Sequence, residues 1–190
     1  KLKEGIDKLI AEYHRKGYVQ AEVEPAVAVD EATNAAAVTL VIDEGARMRI
    51  KQILVEGNLA FSDRRLLKLL KTKRQHWFAS GVYDEQVLQE DLERILSFYR
   101  TNGYQDVAVE KMLLTAPRGN ALYVHLKITE GLQHRVGEVA ITGAVLFPEP
   151  ELRQLLRLKP GSVYSSEALQ DDLRAIKQYY GDQGYINAQV

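Results

Sequence analysis

A tyrosine followed four positions later by Gly-Tyr occurs three times in the chain: Tyr13 with Gly17-Tyr18, Tyr99 with Gly103-Tyr104, and Tyr180 with Gly184-Tyr185. The three glycines stand 86 and 81 positions apart. Around the middle copy, Leu88, Leu92, Ile95 and Tyr99 step by four, three and four, which is helical spacing. Asp84 stands where an N-cap carboxylate can accept the free N–H groups of the first turn. Gly103 stands where glycine closes a helix in the left-handed region. After it, Val107 and Val109 change the period to two, the spacing of a strand. The same pattern surrounds the other copies: Leu2, Ile6, Leu9 and Tyr13 before Ala21 and Val23, and Leu169, Leu173, Ile176 and Tyr180 before Ala188 and Val190. A fixed period of this length means tandem copies of one small domain.

The rest of the unit follows in order. A first helix over 1–16 leads to strands over 21–29 and 36–44, with a turn over 30–34. Ile50, Ile53 and Val55 mark a strand that exits at Gly57-Asn58, and a short helix opening at Phe61-Ser62 carries Leu66, Leu67, Leu69 and Leu70. A loop over 71–82 precedes the helix at Asp84. A strand over 105–115, a turn at Pro117-Arg118-Gly119-Asn120 and a strand over 122–129 complete the copy. In that last strand Leu122, Val124, Leu126 and Ile128 face a core, and Tyr123, His125, Lys127 and Thr129 face water. Val136, Val139, Ile141, Gly143 and Phe147 repeat Ile50, Ile53, Val55, Gly57 and Phe61, and Leu152, Leu155 and Leu156 repeat Leu66, Leu69 and Leu70. The loop at 159–163 is five residues shorter than its counterpart, which accounts for the shorter second period.

The expected fold is α+β: tandem β-α-α-β-β units, each a three-stranded mixed sheet covered on one face by two helices. The expected boundaries are 1–47, the C-terminal part of a unit; 48–131, a complete unit; and 132–190, the N-terminal part of a further unit. Because the sequence opens inside a helical pattern and ends inside a strand pattern, it reads as a fragment of a longer protein. The parts that the two terminal copies lack are then disordered, cleaved or contributed by another chain, as in a swapped dimer.

Charge and motifs exclude more than they suggest. The chain has 25 Lys and Arg against 26 Asp and Glu, a net charge of −1, so no nucleic-acid partner is expected. No apolar run reaches the length of a membrane-spanning helix, and zero cysteines exclude disulfides and thiolate metal sites. The basic Lys71, Lys73 and Arg74 suit the end of a helix. His14, His76, His125 and His134 have no metal-ligand spacing, and Gly161-Ser162-Val163 lacks the second glycine of a nucleophile elbow. Glu44 and Glu130, each before a glycine, read as repeated turn residues. Tyr18, Tyr104 and Tyr185 read as rings packed under a sheet edge. In the longer loop, His76-Trp77-Phe78 offers two aromatics that either anchor a partner or fold back over the helices; folding back is the preferred reading. No enzyme, metal or cofactor is expected.

The unit order, the exit Val55-Glu56-Gly57-Asn58 and the three Gly-Tyr helix stops resemble POTRA (polypeptide-transport-associated) domains, and more closely the arrays of the outer-membrane β-barrel assembly factor family. The likeness covers essentially the whole chain. The third copy departs from it with Gly143-Ala144 for Gly-Asn and Pro148 in place of Ser62. The resemblance implies the periplasmic part of an outer-membrane protein, joined to the membrane only through a C-terminal barrel outside this sequence. It implies a binding role, in which the domains hold unfolded outer-membrane proteins and dock accessory lipoproteins of the assembly complex, partly by strand addition. In the family the strand after Gly-Tyr lies outermost, so the binding edge is expected at Val107, Ala108, Val109, Glu110, Lys111 and Met112, with Trp77 and Phe78 as a possible partner loop. Three other readings stay open: the same array in a two-partner secretion or organellar import channel, a passive structural spacer, and an enzyme with a site assembled across domains.

Overall fold

A computed structural model of the chain describes residues 2–30, 35–77 and 79–189. Most of the expected turn at 30–34, together with Phe78 and Val190, lies outside the described residues. The elements are α1 (Leu2–Arg15), β1 (Glu22–Asp30), β2 (Ala35–Asp43), β3 (Arg49–Glu56), α2 (Asp63–Leu69), α3 (Glu85–Thr101), β4 (Ala108–Thr115), β5 (Ala121–Thr129), α4 (Glu149–Gln154) and α5 (Ser166–Asp182). Two compact units form, one from Lys1–Arg94 with Val109–Ile128, the other from Ile95–Ala108 with Thr129–Val190. Among the described residues no helix is long and apolar enough to cross a membrane.

In the first unit, β5 is the middle strand of a three-stranded sheet ordered β3-β5-β4. β3 runs parallel to it, with Ile50 opposite Leu122 and Val55 opposite Leu126. A tight turn closed by the Ala116 N–H on the Ala121 carbonyl (3.0 Å) joins β4 to β5. The period-two pattern of β5 becomes its burial: Leu122, Val124 and Leu126 are fully buried, with Ile50, Leu66 and Leu88 in the same unit. Residues of this size each contribute about 1.5–3 kcal/mol by leaving water. β1 and β2 form a separate antiparallel pair, from Glu22 opposite Asp43 to Asp30 opposite Ala35. Every residue of β2 is exposed. Val38, Leu40 and Ile42 stand 86 positions before Val124, Leu126 and Ile128, yet are 40–49% exposed. The same pattern is buried only where a parallel strand and a helix lie against it.

The helix ends follow from local chemistry. The Asp84 carboxylate accepts the N–H groups of Gln86 (3.0 Å) and Val87 (3.1 Å), capping α3. Ser165 Oγ accepts from the Ala168 N–H at 3.3 Å at the start of α5. At the other end Gly17, Gly103 and Gly184 have φ of 94°, 92° and 89°. The amides of Tyr18, Tyr104 and Tyr185 return to the carbonyls of Tyr13 (3.0 Å), Tyr99 (3.0 Å) and Tyr180 (2.9 Å). This is the Schellman closure, which brings the residue after the glycine onto the last turn. The rings meet edge to face at 5.9, 5.6 and 6.3 Å between centroids. The second tyrosine of each copy therefore packs on the last turn of its own helix.

In the second unit α4 and α5 form as expected, and Phe147 stacks edge to face on Tyr179 and Tyr180 at 5.0 and 4.9 Å. The strand expected over 136–141 does not form a ladder: apart from a single bridge between Arg135 and Val163, the segment has no strand partner among the described residues. A strand is defined by its neighbour's backbone, and a favourable side-chain pattern alone cannot supply one.

Candidate binding edge

β4 has β5 on one side and, among the described residues, no strand on the other. Its outer N–H and C=O groups are a template for another strand. Of the six residues expected to form the binding edge, Ala108, Val109, Glu110, Lys111 and Met112 lie in β4, whereas Val107 is buried (6% exposed) just before the strand begins. Val109 and Lys111 are partly covered, and Ala108, Glu110 and Met112 are exposed. The Lys111 ammonium donates to Glu85 at the start of α3 at 3.1 Å, which fixes this parity toward the helices. Trp77 is 94% exposed, so its ring does not fold back over the helices; Phe78 lies outside the described residues.

Two of the other edges are less open, whereas β2, like β4, has no strand on its outer side among the described residues and no proline. On β3, the Ile50 N–H donates to Gly81 O (2.7 Å) and the Ile50 carbonyl accepts the Gln75 N–H (2.6 Å), so the loop before α3 occupies the start of that edge. β1, the counterpart of β4 in the first copy, carries Pro25 opposite Leu40. Proline has no N–H and is tolerated where the missing donor faces outward, so this edge is blunted. β4 contains no proline.

The elements carrying the edge are fixed by bonds that recur from copy to copy. Within the first compact unit, the Met48 N–H donates to Gly17 O (2.8 Å) and the Tyr83 N–H to Met48 O (3.0 Å). Within the second, the His134 N–H donates to Gly103 O (2.8 Å) and the Tyr164 N–H to His134 O (3.0 Å). Arg47 Nε reaches Lys16 O at 3.0 Å, and Gln133 Nε2 reaches Asn102 O at 3.1 Å. The two borders between copies are thus built on one plan.

Two pairs carry chemistry that reading the sequence alone misses. Asp91, fully buried on α3, accepts the N–H groups of Lys71 and Thr72, both at 2.7 Å, and pairs with Arg94. Burial alone would raise its pKa, yet hydrogen bonds from Thr72, Lys71 and Arg94 hold it below the ordinary carboxylate value. Asp172 repeats the arrangement toward Arg157 (2.8 Å) and Leu158 (3.0 Å). Glu44 and Glu130 are more than turn residues, since they accept the hydroxyls of Tyr13 (2.9 Å) and Tyr99 (2.8 Å). Burial, and then the bond to Glu130, pushes the Tyr99 hydroxyl pKa up. Both are visible only as recurrences, Glu44 and Glu130 at 86 positions and Asp91 and Asp172 at 81.

Comparison with known proteins agrees with this geometry. The profile of the POTRA family, described as Surface antigen variable number repeat, matches residues 1–45, 48–131 and 134–190. A putative outer membrane protein assembly factor of Treponema pallidum (strain Nichols) is 30% identical over 194 residues, covering 98% of this chain and 23% of the relative. The outer membrane protein assembly factor BamA of Neisseria meningitidis serogroup B is 29% identical over 195 residues, covering 100% of this chain and 24% of the relative. The chain thus spans about a quarter of the length of these relatives. The crystal structure of Haemophilus influenzae BamA POTRA3-5 shares the fold, with a TM-score of 0.57 at 17% identity, covering 94% of this chain and 69% of that one. Matched by the family profile in three successive segments, the chain belongs to the POTRA family, as an array of the kind found in BamA.

Proposed function

We propose that the chain is a periplasmic binding scaffold of an outer-membrane protein assembly factor, organised as modules 1–47, 48–131 and 132–190. It holds unfolded β-barrel clients by adding a client strand to β4, and it docks accessory lipoproteins of the assembly complex. The observation that carries this reading is the outer edge of β4, unpaired among the described residues and free of proline. Strand addition takes its affinity from the main chain, so it tolerates many client sequences. Clients bound for a barrel alternate apolar and polar residues, the pattern a sheet edge accepts. Membership of a family whose relatives are named assembly factors supports the reading, and a binding module needs no catalytic residues.

The test is cross-linking of the chain to a urea-denatured outer-membrane barrel protein, comparing Ala108→Pro and Val109→Pro with the parent. The two prolines remove donors of opposite parity, so one of them deletes a donor on the outer side while the ladder to β5 survives. A severalfold loss of cross-linking in the variant that keeps its thermal transition is expected. Undiminished cross-linking in that variant removes β4 from the mechanism.

A second reading is a structural spacer, favoured by the shared hydrogen-bond plan of the two borders. The same bonds recur within each compact unit, and a spacing role is compatible with client binding. A chain that binds no client in the assay above serves as a spacer alone.

A further inference from the structure

The stretch from Arg64 to Tyr83 covers most of α2 and the loop before α3. It carries six cations, Arg64, Arg65, Lys68, Lys71, Lys73 and Arg74, and no Asp or Glu. The rest of the chain holds 19 Lys and Arg against 26 Asp and Glu, so positive charge is gathered here. All six cations are exposed. Lys71 lies 3.8 Å from Glu90, but both side chains are exposed and such a pair is worth little. Lys73 donates to the Leu70 carbonyl at 2.7 Å, which leaves its charge in place.

The same loop projects the chain's only tryptophan. The loop is tied to β3 through Ile50 and by the Arg49 guanidinium, which donates to Ser80 O at 2.9 Å. His76 and Ala79 exchange two backbone bonds of 3.0 Å, the closure of a two-residue hairpin. Asn, Asp and Gly are the favoured residues in such a loop. Here Trp77 follows His76, and it is 94% exposed. The fold requires neither feature. The loop of the third copy is five residues shorter, and Pro150, Glu151 and Gln154 stand 86 positions after Arg64, Arg65 and Lys68.

We propose that α2 and this loop bind a bilayer surface bearing anionic phospholipid headgroups. An indole settles at headgroup level, where its apolar body and its N–H both find suitable surroundings. Cations near an anionic leaflet add an attraction that fades within a Debye length. A tip already tied to β3 loses little freedom on insertion. Six like charges spread over positions 64–74 suit a continuous anionic surface better than a single pocket on an acidic protein. The surface is distinct from the edge of β4, so its failure leaves strand addition untouched.

Trp77 emission reports the tip directly, because no other tryptophan is present. The intact chain is titrated at low salt with vesicles of phosphatidylcholine alone, and of phosphatidylcholine with about one third phosphatidylglycerol. With the anionic vesicles the emission should shift to the blue and be quenched by brominated acyl chains; with the neutral vesicles it should not move. Arg64→Gln with Lys68→Gln and Arg74→Gln should weaken binding about a hundredfold, the scale of three cations at such a surface. Trp77→Ser, followed by vesicle flotation, should weaken it about tenfold. Salt at about 0.5 M screens the same charges without any substitution and should release the parent chain. Equal binding to the two vesicle types, or anionic binding that survives both salt and the triple substitution, overturns the proposal. Emission unmoved by either vesicle also overturns it, and leaves the tip to a protein pocket.

Discussion

The carbonyl oxygen of Tyr83 lies 2.6 Å from where a β-carbon on Gly17 would stand. Gly17 also holds φ at 94°, a region that side chains disfavour. The helix stop and the border between copies thus demand the same missing side chain. Gly103 repeats this at φ 92°, with Val163 Cγ1 at 2.6 Å and His134 O at 2.9 Å.

Gly17→Ala combines strain at positive φ with a backbone clash that no rotamer relieves, and should cost about 2–4 kcal/mol. Gly119→Ala is the control. Its φ is 87° but nothing lies within 4 Å of the added carbon, so it should lose only about 1 kcal/mol. Urea unfolding of the two variants and the parent measures the difference. Equal midpoints for the two variants would show that the close approach to Tyr83 is not rigid.

Asp91→Asn should cost about 2 kcal/mol at neutral pH, because a buried carboxylate that serves two amides and Arg94 becomes a neutral amide. The sign of the pH dependence follows from the lowered folded-state pKa. The carboxylate's contribution is complete above its unfolded value, near ~4, and is lost as pH falls through the folded value. Parent and variant should therefore converge in stability as pH drops below about 4. Urea unfolding at a series of pH values reads this; a gap that stays constant to low pH would contradict the assignment.

Tyr99→Phe removes the hydroxyl that donates to Glu130 from a fully buried ring, and should cost about 1 kcal/mol. Tyr13→Phe removes the matching bond to Glu44, an exposed pair, and should leave stability unchanged. Thermal melts of the two variants compare the same bond in two settings. A larger loss for Tyr13 would mean that the first border, not burial, sets the value of the pair.

Much of the fold is legible because the sequence repeats. Asp84, Gly103 and the apolar steps between them define α3 by local chemistry, and β5 shows its alternation to any reader. The opening strand of the third copy is not legible in the same way. Val136, Val139 and Ile141 have the right side chains, but a ladder depends on a neighbour that periodicity does not reveal. The contact of Tyr104 with Tyr99 is not legible either, because a Schellman closure carries the ring back onto the helix, a geometry set by the φ of Gly103 and not by any apolar pattern. Asp91 looks like one charge on a solvated face, since its partners are the backbone amides of Lys71 and Thr72, which the sequence does not single out. The edge position of β4 comes from the family likeness.

Amide hydrogen exchange across the sheet, with and without a denatured outer-membrane barrel protein, tests the central claim most directly. The account predicts added protection at outward amides between Val109 and Leu114, with β5 unchanged because its amides are already paired on both sides. Protection confined to β3 or to the loop around Trp77, with β4 exchanging as it does alone, would contradict it.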